Sequence, residues 1–215
     1  MATEGTDSAE RKRRLVRIAV IDSGVHASHP HVGGVAGGAG INADGSEHED
    51  YVDRLGHGTA VTAVIREKAP TAEIFVIKVF DRELASTGVA LVAACRRALR
   101  ERVDFVNLSL GTTNPEHAAA LSDVVAELKD IGALIVAAGE QEGVRWLPGA
   151  LDGVCSVTLD WSLDRNEIRS TGPMSYGASG YPRPIPGVPV ERNLKGLSFA
   201  VANVTGVLAA QRESS

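Results

Sequence analysis

Short apolar runs alternate along the chain with longer segments in which apolar residues recur at helical spacing. Runs of about four to eight apolar residues with many β-branched side chains are typical of buried strands. They predict strands at residues 15–21, 73–80, 103–108, 133–138 and 154–159. The helical spacing predicts helices at residues 59–65, 87–102, 116–131 and 198–211, and Ser86 or Thr87 is the predicted N-cap of the second.

This alternation predicts an α/β fold, a single domain at residues 15–215 with a mostly parallel central sheet and helices on both faces. Residues 1–14 are polar and are predicted to form a mobile tail. Residues 165–194 are rich in Gly, Pro and Ser and predict loops and short strands. Ligands of parallel sheets bind at the carboxyl ends of the strands, so residues that follow strand ends are the candidates for chemistry.

Composition and charge exclude several classes of function. The net charge of -5, with one dense basic run at residues 11–14, argues against a nucleic-acid partner. The sequence shows neither the roughly 18 apolar residues of a membrane span nor a secretory signal, so we expect no membrane partner and a cytoplasmic location. Cys95 and Cys155 lie in apolar stretches without metal-site spacing. They predict buried thiols in a reducing compartment, with a disulfide left open.

Three segments carry residues suited to catalysis. A predicted strand ends in an Asp-Ser-Gly turn at Asp22, where a carboxylate is placed to hold a histidine ring N–H, although such turns are common. His57 lies between two glycines before a helix, and its titration range suits general-base work. Ser198 opens the last helix, whose free N–H groups stabilise an oxyanion, although an ordinary N-cap serine has the same position.

The order Asp, His, Ser, with a strand before the first and a helix after each of the others, is restrictive. The segments resemble the Asp-Ser-Gly, His-Gly-Thr and Gly-Thr-Ser-Met-Ala signatures of the subtilisin-like (S8) serine peptidases. The third signature reads Gly-Leu-Ser-Phe-Ala at residues 196–200. The resemblance covers roughly residues 15–211. It implies a catalytic triad of Asp22, His57 and Ser198, with no cofactor.

The resemblance also implies where a substrate binds. Two segments match those that contact substrate in the family, the edge strand that pairs with substrate backbone and the wall of the primary specificity pocket. The residues of the first are Ser109, Leu110 and Gly111. Those of the second are Ala137, Ala138 and Gly139. The expected partner is therefore a peptide or protein, and no metal is expected because the sequence shows no calcium loop of alternating carboxylates.

The sequence departs from the family at the oxyanion hole. After Ala-Ala-Gly the family usually has Asn, whose side-chain N–H donates to the oxyanion, whereas this chain has Glu140 followed by Gln141. An ionised carboxylate cannot donate, and loss of such a donor costs about 10²–10³ in rate. Three interpretations are open: a protonated Glu140 that donates, Gln141 in the role through a one-residue slip, or an incomplete hole. We favour Gln141 because an amide has the required N–H, the plain alternative being a solvated loop.

A run of acidic residues precedes His57. They are Asp44, Glu47, Glu49, Asp50 and Asp53. An acidic rim near the substrate would favour basic peptides, but a solvated acidic loop is the commoner meaning of such a run.

The leading hypothesis is a serine endopeptidase that works through an acyl-enzyme, with a specific peptide-processing role such as removal of a leader peptide. A subtilisin-like peptide-binding module with impaired catalysis is one alternative, and Glu140 motivates it. Acyl transfer to an amine, which gives ligation or macrocyclisation, is another alternative because the same triad serves both outcomes.

Overall fold

A central sheet organises the computed structural model, which describes residues 14–214. In chain order the strands are β1 (Arg17–Asp22), β2 (Gly37–Ile41), β3 (Glu47–His48), β4 (Glu73–Lys78), β5 (Phe105–Leu108), β6 (Leu134–Ala138), β7 (Glu140–Gln141), β8 (Val144–Arg145), β9 (Cys155–Leu159), β10 (Ile168–Gly172) and β11 (Ser175–Ala178). Within this part of the chain, nine strands form the sheet in the order β10-β11-β9-β6-β5-β1-β4-β2-β3. The hairpin β7–β8 stands apart from it.

The inner strands of the sheet are parallel. β1 pairs in parallel with β4 and β5, and the same direction continues to β6, β9 and β11 on one side and to β2 on the other. The outer strands β10 and β3 run antiparallel to their neighbours. Every residue of β1 after Arg17 is buried, as expected of a strand covered on both faces.

Helices cover both faces of the sheet. They are α1 (His57–Lys68), α2 (Gly88–Arg100), α3 (Ala118–Asp130) and α4 (Leu197–Glu213), with 3₁₀ turns at Pro115–His117 and Val190–Arg192. α1 and α4 pack together over one face, in a core that includes Ile65 and Phe199. α2 and α3 pack over the other face through Leu91 and Leu121. The predicted α/β fold with a mostly parallel sheet is confirmed.

The predicted elements are present, with bounds that differ by a few residues. Thr87 is the N-cap of α2, because its Oγ1 accepts the Ala90 N–H at 3.1 Å. The sequence pattern did not predict β2. Its Gly-Gly-Ala-Gly-Ile sequence lacks the β-branched run of a buried strand, and the strand depends on pairing with β4. The predicted tail lies outside the described residues except for Arg14, which forms an ion pair with Asp104.

The two cysteines are buried free thiols on opposite faces of the sheet. Burial raises the pKa of Cys95 and of Cys155 to about 12. Thiolate is the reactive form of cysteine, so both side chains act as small apolar groups of the core at neutral pH.

A helix that crosses a membrane must be both long and apolar. Along residues 14–214, the structure contains no helix that combines the length and the apolar character needed to cross a bilayer.

Candidate active site

One edge of the sheet brings together the three residues predicted to carry catalysis. Asp22 is the last residue of β1, His57 is the first residue of α1, and Ser198 is the second residue of α4. His57 and Ser198 line the same cleft, which has a volume of about 1000 Å³. The parallel sheet places strand ends and helix starts at this edge, and the cleft lies where such folds bind ligands.

Asp22 holds the imidazole of His57. Nδ1 of His57 lies 2.7 Å from Oδ1 of the fully buried Asp22, and the same oxygen accepts the Ser23 N–H at 2.7 Å. With the proton on Nδ1, Nε2 carries the lone pair that a general base needs. Burial lowers the pKa of His57, but the hydrogen bond and charge of Asp22, together with the charge of Asp53, outweigh burial and raise this pKa above its ordinary value.

A glycine allows α1 to start against the loop that follows β1. A Cβ atom on Gly58 would lie 2.3 Å from the carbonyl oxygen of Gly24 and 3.2 Å from Cβ of Asp22. Any side chain at this position would therefore push the two segments apart. The close approach of Gly58 brings His57 within hydrogen-bonding distance of Asp22.

The hydroxyl of Ser198 lies at the start of α4. It donates to the carbonyl oxygen of Ser109 at 3.1 Å. A hydroxyl has a single proton, so transfer of that proton to His57 requires the hydroxyl to turn away from Ser109. The ring of Phe199 packs 5.5 Å from the imidazole of His57, measured between centroids. The first N–H groups of a helix have no acceptor within it, which leaves donors beside the Ser198 hydroxyl.

A chain of polar residues fixes the end of β5 against α4. Oγ1 of Thr205 lies 2.9 Å from Oδ1 of Asn107 and 2.9 Å from the carbonyl oxygen of Val201, two acceptors for its single proton. Nδ2 of Asn107 donates to Oγ of Ser109 at 2.9 Å. Oγ of Ser109 in turn donates to the Ser198 carbonyl at 3.5 Å. The sequence motifs assign no role to Asn107 or Thr205. Each is a polar residue within an apolar strand or helix, and this feature is visible in the sequence. Such a residue needs a hydrogen-bond partner when it is buried.

The cleft is lined by most of the residues expected to bind substrate. Those on the cleft are Ser109, Leu110, Gly111 and Ala138. Ala137 and Gly139 are not among its lining residues in the described chain. The side chain of Ala137 is fully buried in the core beneath α2 and α3, because successive residues of a strand face opposite sides of the sheet.

Apolar walls of the cleft come from two further segments. The loop before α2 contributes Leu84 and the first turn of α2 contributes Val89, while β8 contributes Val144 and the residue after it is Trp146. The first three of these are more than two-fifths exposed. The sequence does not predict these walls, because single apolar residues are common on protein surfaces and do not by themselves indicate a binding site.

The two candidates for the oxyanion donor lie in different places. Gln141 lines the cleft, whereas Glu140 is exposed and is absent from the cleft lining of the described chain. Both belong to the hairpin, in which Glu140 pairs with Arg145 and Gln141 with Val144. Oε1 of Gln141 accepts the Leu159 N–H at 3.1 Å, an arrangement that leaves the two N–H bonds of Nε2 to donate elsewhere.

The acidic side chains of the loop at residues 44–53 lie outside the cleft. None of its five acidic residues is on the cleft lining that the described chain provides. Asp50 pairs with Arg54, and Asp53 is only 4% exposed and belongs to the interior. Across residues 14–214, no three His, Cys, Asp or Glu side chains form a group suited to a metal ion.

The sequence of the chain is similar to a protein family and to characterised proteins. The model of the Subtilase family matches residues 13–166. The chain is 30% identical to Thermostable alkaline protease of Halalkalibacterium halodurans over 214 residues, which cover 90% of this chain and 55% of that protein. It is 33% identical to Subtilisin E of Bacillus subtilis over 137 residues, which cover 60% of this chain and 35% of that protein. The chain thus spans about half, or less, of the length of these relatives.

Solved structures share the fold. Prenylagaramide maturation protease PagA superposes with a TM-score of 0.66 at 22% identity, over 91% of this chain and 74% of that one. The S218A mutant of the protease domain of PatA gives a TM-score of 0.65 at 22% identity, over 91% of this chain and 78% of that one. At this identity the likeness is one of fold.

Proposed function

Because the chain belongs to the subtilase family, we propose that it is a serine endopeptidase that uses Asp22, His57 and Ser198. One observation carries the proposal. Nδ1 of His57 lies 2.7 Å from Oδ1 of Asp22, and His57 lines the same cleft as Ser198 at the start of α4. A carboxylate, an imidazole and a serine in this order are the parts of an acyl-transfer site. Incubation with a peptide panel, followed by mass spectrometry of the products, tests the proposal.

The residues divide the reaction into two steps. Oγ of Ser198 attacks the carbonyl carbon of the scissile bond while its proton passes to Nε2 of His57. His57 then gives this proton to the leaving nitrogen, the C–N bond breaks, and an ester to Ser198 remains. Water, deprotonated by His57, attacks the ester carbonyl carbon. The C–O bond to Ser198 then breaks, the acid leaves, and His57 returns the proton to Oγ of Ser198. Asp22 stays ionised and stabilises the imidazolium in both steps.

Gln141 is the proposed side-chain donor to the oxyanion. It lies on the cleft, its amide oxygen is occupied by the Leu159 N–H, and its amide N–H groups face a different direction from that bond. The backbone N–H of Ser198, at the start of α4, is the proposed second donor. Glu140, which follows Ala-Ala-Gly where the family usually has Asn, is exposed.

Substitutions of Gln141 and Glu140 test which of the two side chains donates to the oxyanion. We expect Gln141→Leu to lower kcat for peptide cleavage by about 10²–10³, the usual effect of removing one oxyanion donor. Glu140→Leu is the matched comparison, because the change is similar and the position is adjacent. It should leave kcat within a few-fold of the wild type. The reverse ranking would assign the donor to Glu140, and two small effects would indicate a hole without a side-chain donor.

The pH dependence of cleavage reports on His57. Its base form is the neutral imidazole, and the pKa of His57 is raised by Asp22 and Asp53 against the opposing effect of burial. We therefore expect kcat/KM to rise with pH through a midpoint above the ordinary histidine value of about 6.5. A pH profile measured on active-site-titrated enzyme provides the midpoint. A midpoint below the ordinary value would contradict the pairing of His57 with Asp22.

The proposed substrate is a specific peptide segment, such as a leader that is removed from a longer precursor. The fold shared with Prenylagaramide maturation protease PagA motivates this choice. The segment at residues 109–111 continues from β5 along the cleft, where it offers backbone groups to an extended peptide. A specific processing enzyme should cleave one sequence of the panel far faster than the rest, whereas a degradative enzyme should cleave many.

A peptide-binding module with impaired catalysis is the second candidate. The hydroxyl of Ser198 favours it, because its proton is engaged with the Ser109 carbonyl and not with an imidazole. Turnover of any peptide that is lost in Ser198→Ala would exclude this candidate. Acyl transfer is distinguished in the same experiment, since ligated or cyclic products are 18 Da lighter than hydrolysed ones, about the mass of the water that is not consumed.

A further inference from the structure

Asp53 lies inside the protein, four residues before His57. Its side chain is 4% exposed. Oδ1 accepts from Oγ of Ser23 and from the N–H groups of Leu55 and Gly56, each at 2.9 Å. Oδ2 accepts from the N–H of Thr59 at 2.8 Å and from its hydroxyl at 2.6 Å. A carboxylate with this many donors is ionised and rigidly held.

The partners of Asp53 belong to both loops of the proposed acid–base pair. Ser23 directly follows Asp22, and its hydroxyl accepts the N–H of Gly58 at 2.9 Å. Thr59 lies in the first turn of α1, and its hydroxyl accepts the N–H of His26 at 3.0 Å. Asp53 therefore joins the segment after Asp22 to the first turn of the helix that begins with His57.

We infer that Asp53 is a positioning residue, which holds the loop of Asp22 and the start of α1 in the register that pairs Asp22 with His57. It does not touch the substrate cleft within the described chain, so it acts through the residues that it binds. The inference rests on the proposed function for its kinetic consequences. The effect of Asp53 on the placement and charge environment of the His57 ring can be tested even if the protein does not cleave peptides.

The charge of Asp53 gives this role a signature that a purely structural contact lacks. The charged groups that act on His57 are Asp22, at the end of β1, and Asp53, in the loop before α1. From α4, the neutral ring of Phe199 faces the imidazole. Both carboxylates favour the imidazolium, so neutralising Asp53 should lower the pKa of His57 while Asp22 remains in place.

The experiment compares the wild type with Asp53→Asn and with Glu49→Gln. The second variant removes one negative charge from the same loop at an exposed position. Imidazole NMR titration, with the His57 signal assigned from His57→Ala, measures the ring pKa without any need for turnover. We expect a lower pKa of His57 in Asp53→Asn and the wild-type value in Glu49→Gln.

Kinetics on active-site-titrated protein supply the second readout. In Asp53→Asn we expect kcat/KM to fall on the order of 10²-fold, the effect of about 1 Å of misplacement. We also expect the acid limb of the pH profile of kcat/KM to move to lower pH. An unchanged ring pKa together with wild-type kinetics would overturn the inference. If wild-type protein shows no turnover, the proposed function fails, and the NMR comparison still decides the role of Asp53.

A second variant covers the case in which Asp53→Asn does not fold. Thr59→Val keeps the shape of the side chain and the charge of Asp53, but removes one of the donors that hold the carboxylate. We expect kcat/KM to fall, with the acid limb close to its wild-type position because the charge is retained. Wild-type kcat/KM in a folded Thr59→Val protein would overturn the inference.

Discussion

Ser198→Ala should abolish peptide cleavage. Removing the serine of the triad in subtilisin lowers kcat by roughly 10⁶, and we expect a loss of that size here because Ser198 supplies the bond-forming oxygen. The methyl group of alanine fits where the hydroxyl now donates to the Ser109 carbonyl, so the fold should persist. Turnover of the best peptide of the panel measures the loss, and a fluorophosphonate probe that reacts with activated serines provides an independent readout.

The control is Ser170→Ala, which removes an exposed hydroxyl on β10. It should retain full turnover and full labelling by the probe. Equal labelling of Ser198→Ala and the wild type would reject Ser198 as the nucleophile. No labelling of the wild type, together with no turnover of any peptide, would favour the binding module over the peptidase.

Asp22→Asn should lower kcat by roughly 10⁴, the effect of the same change in other triads of this chemistry. The amide that replaces the carboxylate can donate to Nδ1 of His57, which holds the proton on Nε2 and prevents that nitrogen from accepting the serine proton. The imidazolium also loses its closest negative charge, which lies 2.7 Å away in the wild type. Single-turnover kinetics measure the acylation step directly.

Asp123→Asn is the matched control, because Asp123 is exposed on α3 and lies outside the cleft lining of the described chain. It should cleave peptide at the wild-type rate. Near-normal kcat in Asp22→Asn would show that His57 does not depend on Asp22 for its tautomer. The triad would then need a different third member.

The sequence predicted the parts of the fold that depend on local patterns. β1 and β4 are apolar runs because helices cover both of their faces, and that burial leaves a direct mark on composition. β2 leaves no such mark. It contains three glycines and becomes a strand because β4 offers it a parallel partner, which is information held in the tertiary structure.

The residues of the candidate site also differ in whether the sequence predicts them. Asp22, His57 and Ser198 lie in short motifs that can be recognised in order along the chain. Asp53 stands in a run of acidic residues that is typical of a solvated loop, and only the folded chain shows the donors of Ser23 and Thr59 around it. The difference between Glu140 and Gln141 is likewise one of direction, which depends on how the β7–β8 hairpin turns.

The packing of α1 against α4 has a consequence for the rate of the proposed reaction. The base is the first residue of one helix and the nucleophile the second residue of the other. At Gly206 the two helices come so close that a Cβ atom would lie 2.9 Å from Cβ of Lys68. Sliding one helix along the other would change the gap between His57 and Ser198. The spacing of the reacting groups is therefore set in the hydrophobic core, many residues from the cleft in which peptide binds.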